Sequence, residues 1–123
     1  MADVVFRKAR VADLTSIVDM LSDDTIGATR EGCSDPPDPR YIAAFEAIDS
    51  YPNQFLAVAE QDGFVVGCLQ LTLIPGLSRT GMWRGQIESV RTAKSVRGGG
   101  LGRRLLDLLL QPLVEPPQAH ARQ

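Results

Sequence analysis

One histidine, two cysteines and one tryptophan in 123 residues exclude several kinds of chemistry at the outset. The histidine, His120, falls in a Pro-rich tail, which removes Ser-His-Asp catalysis and His-based zinc sites. Cys33 and Cys68 are too few for a disulfide framework and lack metal-ligand spacing, so they read as reduced bystander thiols. No metal site is expected. No run approaches the roughly 20 apolar residues needed to cross a bilayer. The Met-Ala-Asp start lacks a basic-then-apolar signal pattern, and a cytoplasmic protein with no membrane partner is the expectation. Charge of one sign is also missing. Thirteen Lys and Arg against fifteen Asp and Glu give a formal net charge of -2, with no basic field for nucleic acid.

What is present suits one globular domain: 44% hydrophobic and 23% charged residues. A chain of this length buries about two-thirds of its unfolded surface, enough for a core. Val4 to Ala9 reads as a strand. Leu14, Ile17, Val18 and Leu21 fall at helical spacing in a helix from about Ala12 to Leu21. Ser22 to Pro39 is rich in glycine and proline and reads as a loop or irregular connection. Tyr41, Ile42, Phe45 and Ile48 mark a second helix that must end before Pro52. Phe55 to Glu60 and Phe64 to Ile74 are strands joined at Asp62-Gly63, a hairpin signal because Gly accepts the positive φ of a tight turn. Trp83 to Thr92 forms another strand, with Gln86, Glu88, Val90 and Thr92 expected on one face and Ile87, Ser89 and Arg91 on the other. A glycine loop follows, then a Leu-rich helix from about Leu101 to Leu110. The order predicts an α/β architecture of the α+β type, helices flanking a mixed, mainly antiparallel sheet. The domain is expected over residues 1–111, with 112–123 a disordered Pro-rich tail.

The decapeptide Arg97-Gly98-Gly99-Gly100-Leu101-Gly102-Arg103-Arg104-Leu105-Leu106 carries the most chemistry. It follows a strand and opens a helix. Consecutive glycines let the backbone approach an anion closely, and the first helical N–H groups have no intrahelical acceptor. Those donors and the helix dipole make a pyrophosphate cradle, with Arg97 and Arg103 adding charge at the rim. The plainer alternative is a flexible turn with a helix cap. A P-loop is excluded because no Lys-Ser/Thr pair follows the glycines. A dinucleotide fingerprint fits poorly, since Arg stands where the last glycine belongs and the loop comes late.

Arg97-Gly98-Gly99-Gly100-Leu101-Gly102 resembles the acyl-CoA loop of the GNAT N-acetyltransferase superfamily, whose pattern is [RQ]-x-x-G-x-[GA]. Gln86 to Thr92 looks like that family's fourth strand, Arg103-Arg104-Leu105-Leu106 like the start of its third helix, and the likeness runs from about Val4 to Leu110. The resemblance implies acetyl-CoA as acyl donor and a small-molecule amine as acceptor. Backbone N–H groups of Gly98, Gly99, Gly100, Leu101, Gly102 and their neighbours would hold the pyrophosphate. Val90, Arg91 and Thr92 would pair with the pantetheine arm, and Glu88 matches the strand carboxylate that serves many members as general base. A solvated strand carboxylate is the alternative reading of Glu88. Met82 and Trp83 read as core or rim residues.

Members of the family continue past the third helix with a fifth strand, a fourth helix and closing strands, and the fourth helix often carries a Tyr that protonates the leaving thiolate. No counterpart is expected after Leu110, and Tyr41 and Tyr51 lie elsewhere. The expectation is therefore a GNAT-like sheet lacking its last strands. Three functions compete: a weak N-acetyltransferase, an inactive remnant that at most binds CoA, and an interaction module pairing through an open sheet edge, homodimerisation included.

Overall fold

In the computed structural model residues 3–23, 25–105 and 107 are described. Strands β1 (Val4–Lys8), β2 (Gln54–Gln61), β3 (Phe64–Ile74) and β4 (Arg84–Thr92) form an antiparallel sheet in sequence order. The β2–β3 turn is the one expected: Asp62 and Gly63 both take positive φ, 54° and 82°, which matches the twist of the flanking strands. Helices α1 (Leu14–Leu21) and α3 (Pro39–Ser50) cover one face of the sheet. The other face carries Leu101 and Leu105, from a helical stretch spanning 101–105. Each face thus closes its own core. Leu14, Ile17, Met20, Phe45, Leu56, Val58 and Cys68 pack on the first, and Ala59, Val66, Leu69, Leu71, Leu101 and Leu105 on the second.

Gly67 decides how closely the second helix sits. A Cβ there would lie 3.1 Å from Leu105 Cδ1, 3.3 Å from Leu101 Cδ2 and 3.4 Å from Ala59 Cβ. Only a residue without a side chain lets both leucines rest on the strand.

Two expectations are corrected. The stretch Ser22 to Pro39 is not wholly irregular, because Thr25–Arg30 forms a short helix, α2. Its six residues were masked by the surrounding glycines and prolines. Helix α3 also starts earlier than Tyr41, at Pro39, since proline suits a first helical position and Asp38 caps it by accepting from the Arg40 N–H at 2.8 Å. The expectations for Leu108 to Leu110, for the Pro-rich 112–123 segment and for the missing last strands concern chain outside the described residues.

A third correction bears on function. Strict alternation along β4 fails at Ser89, whose φ of 56° marks a bulge. Gln70 opposes Glu88 but Cys68 opposes Arg91, so three steps on β4 match two on β3. Gln86, Glu88 and Arg91 therefore share the α1/α3 face. Val90 and Thr92 turn to the opposite face, where both approach the position a Gly102 side chain would take. Glu88 is not on the face of Val90 and Thr92. The extra residue reverses the alternation.

Candidate functional site

The bulge, the segment after β4 and the glycine loop lie along one continuous stretch of chain. The β4 ladder extends to Ala93, whose N–H donates to the Val66 carbonyl at 2.8 Å, and a single 3-10 turn (Lys94–Val96) follows. Arg97, at its end, is bonded twice. Its Nε donates to the Thr92 carbonyl at 3.3 Å and its Nη2 to Asp23 Oδ2 at 2.9 Å. Lys94 Nζ reaches the other oxygen of Asp23 at 3.3 Å. Asp23, just past α1, thus ties the approach to the glycine loop against the opposite side of the fold. The expected rim charge of Arg97 is engaged within the protein. Arg104 stacks over the Phe6 ring at 5.5 Å, and Arg103 stays exposed at the loop.

Gly98 and Gly100 adopt positive φ, 88° and 78°, which side chains rarely tolerate, so the local glycines are required by backbone geometry. A Cβ built on either meets nothing within 4 Å, which means that this side of the loop is open. The Gly99 N–H donates to the Val96 carbonyl at 3.3 Å, and the helix begins its own ladder with the Arg104 N–H on the Gly100 carbonyl at 3.1 Å. The amides of Leu101, Gly102 and Arg103 precede that first helical bond. An open glycine face next to such donors suits an anion by sign.

On the other side of the sheet Glu88 is exposed, and its carboxylate accepts a hydrogen bond from Gln86 Nε2. No burial shields its carboxylate, because β4 from Arg84 to Glu88 is exposed throughout. Beside it, Cys68 is fully buried and donates its thiol to the Ser89 carbonyl at 3.4 Å, occupying an acceptor that the bulge takes off the regular ladder. Burial pushes the Cys68 thiol up to about 11, so it stays protonated and is no nucleophile.

Three groups that the sequence did not single out frame this face. Tyr41 Oη donates to Glu31 Oε1 at 2.6 Å and accepts from the Gly32 N–H at 3.1 Å. The hydrogen bond to Glu31, reinforced by burial, raises the Tyr41 phenol; the same bond, with help from Arg30, holds Glu31 below its usual range. Asp23 is the third. None has a local sequence signal, since each acts through a partner on another element. Among the described residues no cluster of three or more His, Cys, Asp or Glu could hold a metal ion, and no helix is long and apolar enough to cross a membrane.

No protein of curated function matches the chain in sequence. Solved structures do. A transcriptional regulator from Bacillus halodurans C-125 is 38% identical with a TM-score of 0.86, over 91% of this chain and 75% of that one. Glucosamine-6-phosphate N-acetyltransferase from Arabidopsis thaliana shares the fold at 20% identity and a TM-score of 0.71, over 88% and 72% of the two chains. A predicted acetyltransferase solved with acetyl-CoA, from Clostridium acetobutylicum, does so at 20% and 0.68, over 91% and 74%. The acetyltransferase (GNAT) family matches residues 15–121, and with the loop, the bulged strand and the meander sheet in place the chain belongs to the GNAT acetyltransferase family.

Proposed function

We propose that this chain is an acetyl-CoA-dependent N-acetyltransferase that acts on the primary amine of a small molecule. The observation that carries the reading is the glycine loop after β4, open at Gly98 and Gly100 and followed at once by the first amides of a helix. A neighbour of the same fold was solved with acetyl-CoA, and another is named for acetylating an amino sugar phosphate.

In this reading the amides of Gly98, Gly100, Leu101, Gly102 and Arg103 hold the pyrophosphate, the Gly99 amide being engaged by Val96; Arg103 supplies positive charge, and Arg97 with Asp23 fixes the loop's approach. The backbone of Val90, Arg91 and Thr92 lines the pantetheine path. When bound, acetyl-CoA supplies an activated thioester carbonyl. Glu88, on the α1/α3 face, takes the proton that an ammonium must lose before its nitrogen can attack. With acetyl-CoA bound, a C–N bond would form to the acetyl carbon as its C–S bond breaks, and the second proton that the nitrogen gives up would end on the departing thiolate. Residues 1–111 would make up the catalytic domain.

A second reading is favoured by one feature. Among the described residues β4 pairs only with β3, and Arg84 to Glu88 are all exposed, a strand edge that could pair with a second copy.

The test is calorimetry of acetyl-CoA against the wild type, Gly100→Asp and Gly100→Asn. Both variants accept the left-handed backbone about equally, and only the first adds a charge. Like charges at roughly 4 Å near a surface repel by about 1–4 kcal/mol, so Gly100→Asp should lose about tenfold or more in affinity while Gly100→Asn stays within a few-fold. Equal affinity in all three proteins would reject the loop as the binding site.

A further inference from the structure

Between α1, α3 and strands β3 and β4 lies a cavity of about 140 Å³, walled by Leu14, Ile17, Val18, Phe45, Leu56 and Cys68. Its lining also includes Ala44, an exposed position on α3, together with Gln70 and Ser89. These last two place it beside the candidate base. Gln70 is the cross-strand partner of Glu88, and Ser89 is its neighbour in the bulge.

Three polar groups on the wall are engaged within the protein. Tyr41 Oη donates to Glu31 at 2.6 Å, Gln70 Nε2 donates to Gln54 Oε1 at 2.8 Å, and the Ser89 carbonyl accepts from Cys68 at 3.4 Å. Among the described residues no charged side chain lines the cavity. A phosphate or a hydroxyl-rich ring placed there would lose its water against a wall that is almost wholly apolar. An apolar group would lose nothing and would fill space the core leaves open.

We propose that the acceptor carries its amine on a compact apolar group, a branched alkyl chain or a phenyl ring, which enters this cavity and leaves the nitrogen at Glu88. This rests on the acetyltransferase reading and narrows its substrate class, away from phosphorylated sugars and toward aralkyl and alkyl amines. Ala44 is the position that tests this, because it lines the cavity yet is exposed, so a large side chain there obstructs the cavity without replacing a buried wall residue.

Fluorine NMR of 4-fluorophenethylamine with the full chain tests binding, and release of free CoA from acetyl-CoA tests transfer, with ethanolamine as the polar control. The fluoroamine should bind the wild type and be acetylated with a kcat/KM at least about tenfold above ethanolamine. Ala44→Trp should reduce both by a similar factor while acetyl-CoA affinity by calorimetry is unchanged; Ala44→Met serves if the tryptophan variant melts early. No binding to the wild type, or undiminished binding in a folded variant, overturns the cavity assignment. Faster transfer to ethanolamine overturns it too, and leaves the acetyltransferase reading standing. Binding of the fluoroamine with no transfer to either amine overturns that reading and this inference with it.

Discussion

Replacing Asp13 by Asn tests the ionic cluster that joins the first strand to the first helix. Arg7, on β1, donates to both oxygens of Asp13 at 2.8 and 2.9 Å and to Glu60 Oε1 at 2.9 and 3.0 Å. Asp13 is 6% exposed and also accepts from the Arg10 N–H at 2.7 Å, which closes the start of the helical segment. Losing one partner of a buried ion pair costs about 3–5 kcal/mol. Arg7 keeps Glu60, its side chain is 20% exposed, and the Asn carbonyl can still accept from Arg10, so the loss falls at or below the bottom of that range, about 2–3 kcal/mol. At roughly 3–6 °C per kcal/mol for a domain of this size, the melting temperature should fall by about 10 °C. The hydrogen bond from Arg7, followed by that from the Arg10 N–H, outweighs burial and holds the Asp13 carboxyl below its usual range. The unfolded chain therefore binds a proton more readily here. The stabilisation is fully present above about pH 4 and is lost as pH falls through the lower folded value. Urea melts followed by circular dichroism at pH 7 and pH 3 would show a wild-type advantage at the first that shrinks at the second. A difference under about 0.5 kcal/mol at pH 7, or one independent of pH, would refute the reasoning.

Gly67→Val would drive two methyl groups into Leu101 and Leu105, which already stand 3.3 and 3.1 Å from a Cβ at that position. A loss of about 1–3 kcal/mol is expected in the same melts, and weaker acetyl-CoA binding should accompany it because the helix behind the loop shifts. Glu88→Gln keeps the shape and the Gln86 contact but removes the proton acceptor, so acetyl transfer should fall by roughly 10²–10⁴ with acetyl-CoA affinity unchanged in calorimetry. An unaltered rate and pH profile would return Glu88 to a solvated strand carboxylate.

Much of this protein was decided locally. The period of Leu14, Ile17, Val18 and Leu21 makes α1, Asp62-Gly63 makes the β2–β3 turn, and the run from Gly98 to Gly102 makes an open loop ahead of a helix. Each depends on residues a few positions apart, where backbone preference and side-chain spacing act without help from the rest of the chain. Tertiary structure alone decided the rest. Ser89 adopts positive φ with no glycine to announce it, because pairing with Gln70 and Cys68 on β3 demands an extra residue there. That one residue moves Glu88 away from the face of Val90 and Thr92 and sets it on the α1/α3 face. Arg97 meets Asp23 across 74 positions of chain and Arg7 meets Glu60 across 53, contacts that exist only once the sheet has assembled. Local patterns name the elements. Which faces and charges meet depends on strand register, and register is set by the packing of both faces of the sheet together.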